Sequence, residues 1–152
     1  MSTPPVLTEL KLSEDMKKAV NTAFERRKPI AVAYVDENNA PKLSYRGSTQ
    51  AYSDTALAIW VRMPDGPILA AVQKNPAVAL IYGDFREDGR DFMIFRGRAR
   101  IDTNEEVRRR VYENAHPFEQ SQDKDRKGNA MIIELDSVEG FFGGALLKMK
   151  RD

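Results

Sequence analysis

The 152-residue sequence predicts one domain of a mainly β class: a small closed or partly closed β-barrel of six to seven antiparallel strands with peripheral helices. Three observations predict it. Short β-prone runs recur along the chain, turn residues separate them at hairpin distance, and helical apolar spacing appears only beside or between these runs. A domain of this length buries a sizeable core without disulfides or metal.

The first element is a helix over about Ser13–Lys28. Ser13 caps its free N–H groups, and Glu14 and Asp15 suit the positive end of the dipole. Met16, Ala19, Val20, Ala23 and Phe24 form one apolar stripe, and Arg26, Arg27 and Lys28 before Pro29 mark its end. Ile30–Val35 reads as a strand, turned at Asp36–Pro41 into a partner strand Lys42–Tyr52. Ser53–Thr55 turns the chain again into a third strand, Ala56–Arg62, which Met63–Pro67 breaks. Ile68–Lys74 has helical spacing and closes before Asn75-Pro76. Ala77–Tyr82 and Asp91–Ile101 form a second hairpin across Gly83–Arg90. Thr103-Asn-Glu-Glu106 reads as a capping box that opens a helix with Val107 and Val111 inward. It begins a polar insertion, Thr103–Lys127, between sheet elements. Ala130–Leu135 and Phe141–Met149 supply the last two strands.

Composition narrows the chemistry. The chain has no cysteine, which excludes a disulfide framework, a zinc ribbon and a thiol nucleophile. Its single histidine excludes multi-histidine metal cages, and a Ser-His-Asp triad would have to use His116. Lys plus Arg is 24 against 23 for Asp plus Glu, so no global charge drives binding to nucleic acid or membrane. Met1–Leu12 lacks the pattern of a signal peptide, and no apolar run approaches the roughly 20 residues that span a bilayer. The expectation is a cytoplasmic protein.

In Lys42–Tyr52, period-2 alternation puts Leu43, Tyr45, Gly47, Thr49 and Ala51 on one face and Lys42, Ser44, Arg46, Ser48 and Gln50 on the other. A solvated edge would give this pattern. Gly47 within a strand also marks a close approach by a ligand or another backbone. Arg46 offers a planar fork of donors suited to phosphate, and Ser48 adds a hydroxyl. Trp60 and Arg62 end the neighbouring strand, and the helix beginning near Ile68 presents free N–H groups. Together these form a candidate phosphate site. No glycine-rich phosphate loop of the Walker or dinucleotide type occurs.

Four segments in order carry a resemblance: Arg46-Gly-Ser-Thr-Gln50, Ala58-Ile-Trp-Val-Arg62, Lys74-Asn-Pro-Ala-Val-Ala-Leu80 and Phe95-Arg-Gly-Arg-Ala99. Over roughly Pro29–Asp102 the chain resembles the pyridoxamine 5′-phosphate oxidase-like family of FMN-binding split barrels. The resemblance implies a split β-barrel and a homodimer with two flavins at the subunit interface. It implies that FMN lies along Arg46, Gly47, Ser48 and Thr49 and along Ile59, Trp60, Val61 and Arg62, with its phosphate near Ile68 and Leu69. Arg46 and Arg62 would bind the phosphate, Ser48 and Thr49 would hydrogen-bond the flavin, and Trp60 would lie beside it. Phe141 or Phe142 of the opposite subunit would supply an aromatic. Many members carry a phosphate-binding lysine seven residues before the Asn-Pro pair, where this chain has Ile68. Related split barrels take a deazaflavin or haem, so these stand as alternatives to FMN. The implied function is an oxidoreductase passing hydride between a reduced donor and a small-molecule acceptor. Non-catalytic storage or sensing of a flavin, deazaflavin or haem is the alternative. Fold likeness supplies no substrate, and no substrate motif for pyridoxamine phosphate is present.

Other features read as structural. His116 sits on an expected loop, Asp54, Asp84 and Asp91 flank turns, and Arg108-Arg-Arg110 is expected to be solvated. Arg96, Arg98 and Arg100 share a strand face that is either solvated and salt-bridged or a site for an anionic group. Gly140-Phe-Phe-Gly-Gly144 is either a bulged core strand or a ligand cover at a dimer interface. Nucleic acid is not the expected partner, because exposed aromatics do not interleave with the basic residues.

Overall fold

The computed structural model describes residues 3–152, so Met1 and Ser2 of the amino-terminal segment lie outside the described residues. In chain order the elements are β1 (Val6–Glu9), α1 (Glu14–Thr22), β2 (Ala31–Val35), β3 (Pro41–Tyr45), β4 (Gln50–Ser53), β5 (Ala56–Val61), α2 (Pro67–Lys74), β6 (Ala77–Arg86), β7 (Gly89–Asp102), α3 (Glu105–Glu113), α4 (Pro117–Ser121), β8 (Asn129–Phe142) and β9 (Ala145–Lys150).

Antiparallel ladders run β3–β2–β6–β7–β8–β5–β4. Because β3 continues into β4 through residues 46–49, the path closes into a barrel that is split at that bend. No described helix is long and apolar enough to cross a membrane.

Local chemistry explains most elements. Ser13 Oγ accepts from Met16 N at 3.2 Å and caps α1. The regular helix stops at Thr22, short of the expected Lys28, and the chain winds on as turns. Arg27 takes a left-handed φ of 63°, while Lys28 N–H donates to Ala23 O and Arg27 N–H to Phe24 O, a Schellman closure. The expected capping residue Thr103 gives way to Asn104, whose side chain accepts from Glu106 N and Val107 N. Asp102 Oδ1 fixes Asn104 N–H at 3.0 Å and so selects it.

Three strand expectations need correction. First, the strand expected over Lys42–Tyr52 breaks at residues 46–49. There Thr49 N–H and Oγ1 both donate to Arg46 O, so short polar groups satisfy the backbone that a ladder would have used. Second, Phe141–Met149 is not one strand. Gly143 and Gly144, at φ 57° and 81°, turn a β8 that runs from Asn129 to Phe142 into β9. Third, the sheet is not wholly antiparallel and exceeds seven strands: β1 adds in parallel to β9. β1 is exposed at all four residues and has no alternation to reveal it.

The core fills the barrel with Val32, Leu57, Ile59, Leu80, Met93, Phe95, Met131, Ile133 and Leu135, joined by Met16 and Val20 of α1 and Ile68 and Val72 of α2. Each such large side chain contributes about 1.5–3 kcal/mol of burial. β5 is buried at all six positions. Leu57, Ile59 and Val61 face the main core, and Ala56, Ala58 and Trp60 pack beneath Val111 and Tyr112 of α3 in a second cluster. That is why its sequence is a continuous apolar run. Along β7, Arg96, Arg98 and Arg100 pair with Glu139, Asp136 and Asp102 respectively, the salt-bridged of the two readings.

Candidate functional site

The bend between β3 and β4 inverts the expectation for this segment. Its apolar side chains point outward, with Leu43 77% and Tyr45 73% exposed, while Ser48 and Gln50 are buried at 2% and 4%. The alternation does not run through the bend: Lys42, Leu43 and Tyr45 are exposed in β3, and Ser48, Thr49 and Gln50 are buried in succession.

Arg46 is half-buried at this bend, and its Nε donates to Ser44 Oγ at 3.1 Å. Burial pushes its proton affinity below the usual guanidinium range, and nearby Arg62 adds to this, while Tyr34 and Glu119 oppose it. Arg62 directly follows β5, and its charge is felt at Arg46. Among the described residues neither forms an ion pair, whereas Arg86, Arg96, Arg98, Arg100 and Arg109 all do.

The hydroxyls are used internally. Ser48 Oγ accepts from Trp60 N and donates to Trp60 O, both at 2.9 Å. Thr49 Oγ1 donates to Arg46 O at 2.7 Å. Gln50 Nε2 donates to Ser48 O and to Val111 O. These side chains hold the shape of the bend. Trp60 is buried, its Nε1 donates to Asp123 Oδ2 at 2.9 Å, and its ring meets Tyr112 edge-on at 5.2 Å. Ile59 and Val61 belong to the main core, as do Ile68 and Leu69.

Phe141 and Phe142 are not brought to this site within one chain. They lie at the far end of the 14-residue β8 from Asn129, which pairs with Val61 next to Arg62. Phe142 packs on its own main core.

Gly47 meets a close approach, and it comes from this chain. A Cβ there would collide with Glu119 Oε1 of α4 and lie 3.0 Å from the Phe24 ring. Phe24 also meets His116 edge-on at 5.0 Å and Phe118 at 6.0 Å. His116 lies in the short connection between α3 and α4, where its Nδ1 accepts from Phe118 N at 3.1 Å and caps α4. Sequence reasoning missed Glu119, Phe24 and Asp123 here. His116-Pro117 was the available signal, since proline favours the first position of a helix. Arg108 and Arg110 are likewise not simply solvated. Arg108 lies over Trp60 at 5.2 Å and Arg110 over Tyr52 at 4.0 Å, because their stems cover aromatic faces.

Beside the bend, the outer face of β3, β2 and β6 is apolar. Ala33 pairs with Leu43 and Ala79, and Ala31 with Tyr45 and the half-exposed Ile81. An open groove of about 370 Å³ runs along it, lined by Ala33, Val35, Pro41, Ala77 and Ala79 among others. Contiguous exposed apolar surface of this kind marks an interaction face.

A family model described as pyridoxamine 5′-phosphate oxidase matches residues 16–142. No curated protein matches the sequence. Among solved structures the chain is similar to HupZ of Group A Streptococcus, with 18% identity and a TM-score of 0.66 over 88% of this chain and 97% of that one. It is similar to an FMN-binding protein from Syntrophomonas wolfei, with 8% identity and a TM-score of 0.63 over 83% and 86% of the two chains. It is also similar to General Stress Protein 26 from Bacillus anthracis, with 14% identity and a TM-score of 0.61 over 82% and 92%. At these identities the likeness is one of fold.

Proposed function

The chain belongs to the pyridoxamine 5′-phosphate oxidase family, and from that premise we propose that it is an FMN-binding oxidoreductase, cytoplasmic and homodimeric. The observation that carries this reading is the state of the two arginines: Arg46 at the bend and Arg62 at the end of β5 form no ion pair among the described residues, and the charge of Arg62 is felt at Arg46. Two guanidinium groups without a carboxylate partner, one of them half-buried, suit a phosphate.

The phosphate end of FMN fits these residues. At the ring end, Trp60 Nε1 and the hydroxyl protons of Ser48 and Thr49 are used internally, which leaves the two hydroxyl oxygens only as acceptors. Contacts to the ring would come from these hydroxyl oxygens and from main-chain groups of the bend that carry no internal bond, with Gln50 holding the bend in position. Bound FMN would supply hydride chemistry between a reduced donor and a small acceptor. Arg46 and Arg62 would anchor the phosphate, and the apolar outer face with Leu43, Tyr45 and Ile81 would meet a second copy and exclude water. Non-catalytic flavin storage is a second reading. It is favoured by Glu119 and Phe24, which cover Gly47 and leave a substrate less access to the bend.

The test is the visible spectrum of the purified protein together with thermal stability in added FMN. The expected result is a yellow protein bleached by dithionite, or a protein stabilised by FMN. At FMN a hundred times the dissociation constant the gain is about 2.7 kcal/mol. A colourless protein whose melting temperature ignores millimolar FMN would refute the reading, and a Soret band would move the assignment to haem. NAD(P)H-supported turnover separates the oxidoreductase from the storage protein.

A further inference from the structure

Glu119 reaches from α4 to the Gly47 backbone. Its Oε1 stands where a Cβ of Gly47 would be, on the segment that carries Arg46. It is only half-buried, and among the described residues its carboxylate makes no hydrogen bond or ion pair. Its negative charge nevertheless supports the Arg46 guanidinium against burial and against Arg62. The site thus contains a cation in need of an anion and a carboxylate close enough to be felt but not paired.

The element that carries Glu119 is lightly attached. α4 has five residues, and none of its side chains is buried. His116 caps it, its ties to α3 all run through Gln120, whose Nε2 donates to Tyr112 O and Glu113 O and whose carbonyl accepts from Tyr112 Oη, and Phe118, in contact with Phe24, is still 51% exposed. So short a helix with so little burial opens locally at small cost.

We propose that Glu119 sets the affinity and selectivity of the Arg46 site, as a negative charge beside the bend that repels phosphate-bearing ligands as they approach. The proposal rests on the phosphate-binding reading of Arg46 and Arg62 given above. The carboxylate partly offsets the charge of Arg46. When a phosphomonoester reaches Arg46, like-charge repulsion drives Glu119 away and α4 shifts with it. The penalty grows with the charge of the ligand, so the site discriminates against the most highly charged phosphates.

The experiment compares wild type with Glu119→Gln, which keeps the side-chain shape and removes the charge. Calorimetric titrations use FMN, riboflavin and inorganic pyrophosphate, and amide hydrogen exchange is followed at residues 117–121. Glu119→Gln is expected to tighten FMN about tenfold and pyrophosphate by at least as much, the scale of removing one charge beside a bound phosphate. Riboflavin, which lacks the phosphate, is expected to change less than about twofold. FMN is expected to speed exchange in α4 of the wild type. Unchanged or weaker FMN binding by Glu119→Gln overturns the proposal, and so does an equal gain for riboflavin. If FMN binds neither protein but pyrophosphate still binds the variant more tightly, the role of Glu119 stands and the flavin reading falls. If no anion binds either protein, both fall.

Discussion

Replacing Asp123 by alanine is expected to destabilise the protein by about 3 kcal/mol. The carboxylate is buried to 9% exposure and accepts three hydrogen bonds: from Trp60 Nε1 at 2.9 Å, Lys127 N at 2.9 Å and Gly128 N at 2.8 Å. Lys127 is exposed, so water can replace its bond, whereas the Trp60 and Gly128 donors are buried and would be left unsatisfied. Each unsatisfied buried donor costs about 1–3 kcal/mol. For a chain of this length the total corresponds to a fall in melting temperature of about 6–12 °C. Trp60 is the one tryptophan, so its fluorescence reports urea unfolding and the local loss of the Asp123 contact together. Asp123→Asn keeps an acceptor and is expected to lose about half as much. Burial pushes the Asp123 carboxyl up, but the bonds from Lys127, Gly128 and Trp60, with nearby Arg108, together hold it below the usual carboxylate range. Its contribution is therefore present above the unfolded-state value of about 3.9 and fades as pH falls through the lower folded-state value. The stability gap between wild type and Asp123→Asn should narrow in that acid window. A loss below about 0.5 kcal/mol for the alanine variant, inside the range of ordinary surface changes, would refute this account of the second cluster.

Arg46→Ala should weaken FMN about thirtyfold, the loss of one charge-assisted phosphate contact, and riboflavin no more than about threefold. Equal losses in a calorimetric titration would reject the phosphate role. Gly47→Ala should cost about 1–3 kcal/mol in a thermal melt through overpacking against Glu119 and Phe24. Glu119→Ala in the same chain should restore part of that loss, and additive effects would show that the two residues do not meet. Leu43→Glu with Tyr45→Glu should convert a homodimer to a monomer by light scattering, leaving Trp60 emission unchanged. A wild type already monomeric at working concentration would remove the premise.

The parts of the fold that were legible are those with local causes. The Ser13 cap, the Asn75-Pro76 stop of α2 and the existence of the hairpin between β6 and β7, though not its tight turn after Arg86, follow from residues within a few positions of one another. β5 announced itself as a continuous apolar run because it is covered on both sides. β1 was silent because an exposed edge strand carries no alternation. The break at residues 46–49 was hidden for another reason. Arg46, Ser48 and Thr49 fit an alternating strand as well as a bend, until Trp60 offers its backbone to the Ser48 hydroxyl.

The candidate site divides in the same way. Arg46 and Arg62 were identifiable by type, and their order along adjacent strands was enough to propose that they meet. Glu119 was not, because it comes from a helix some seventy positions away whose contact with Gly47 leaves no trace in spacing. By itself, the sequence determined the helices α1, α2 and α3 and the approximate place of most strands, but not β1, α4 or the break between β3 and β4, and it determined which chemistries the missing cysteine and single histidine exclude. Only the tertiary structure decided which face of the β3–β4 segment is buried, which hydroxyls are consumed internally and which carboxylate stands over Gly47. Periodicity and caps are properties of neighbouring residues. Burial and charge neighbourhoods depend on what distant elements bring to the other side, and an alternating strand reads the same with either face inward.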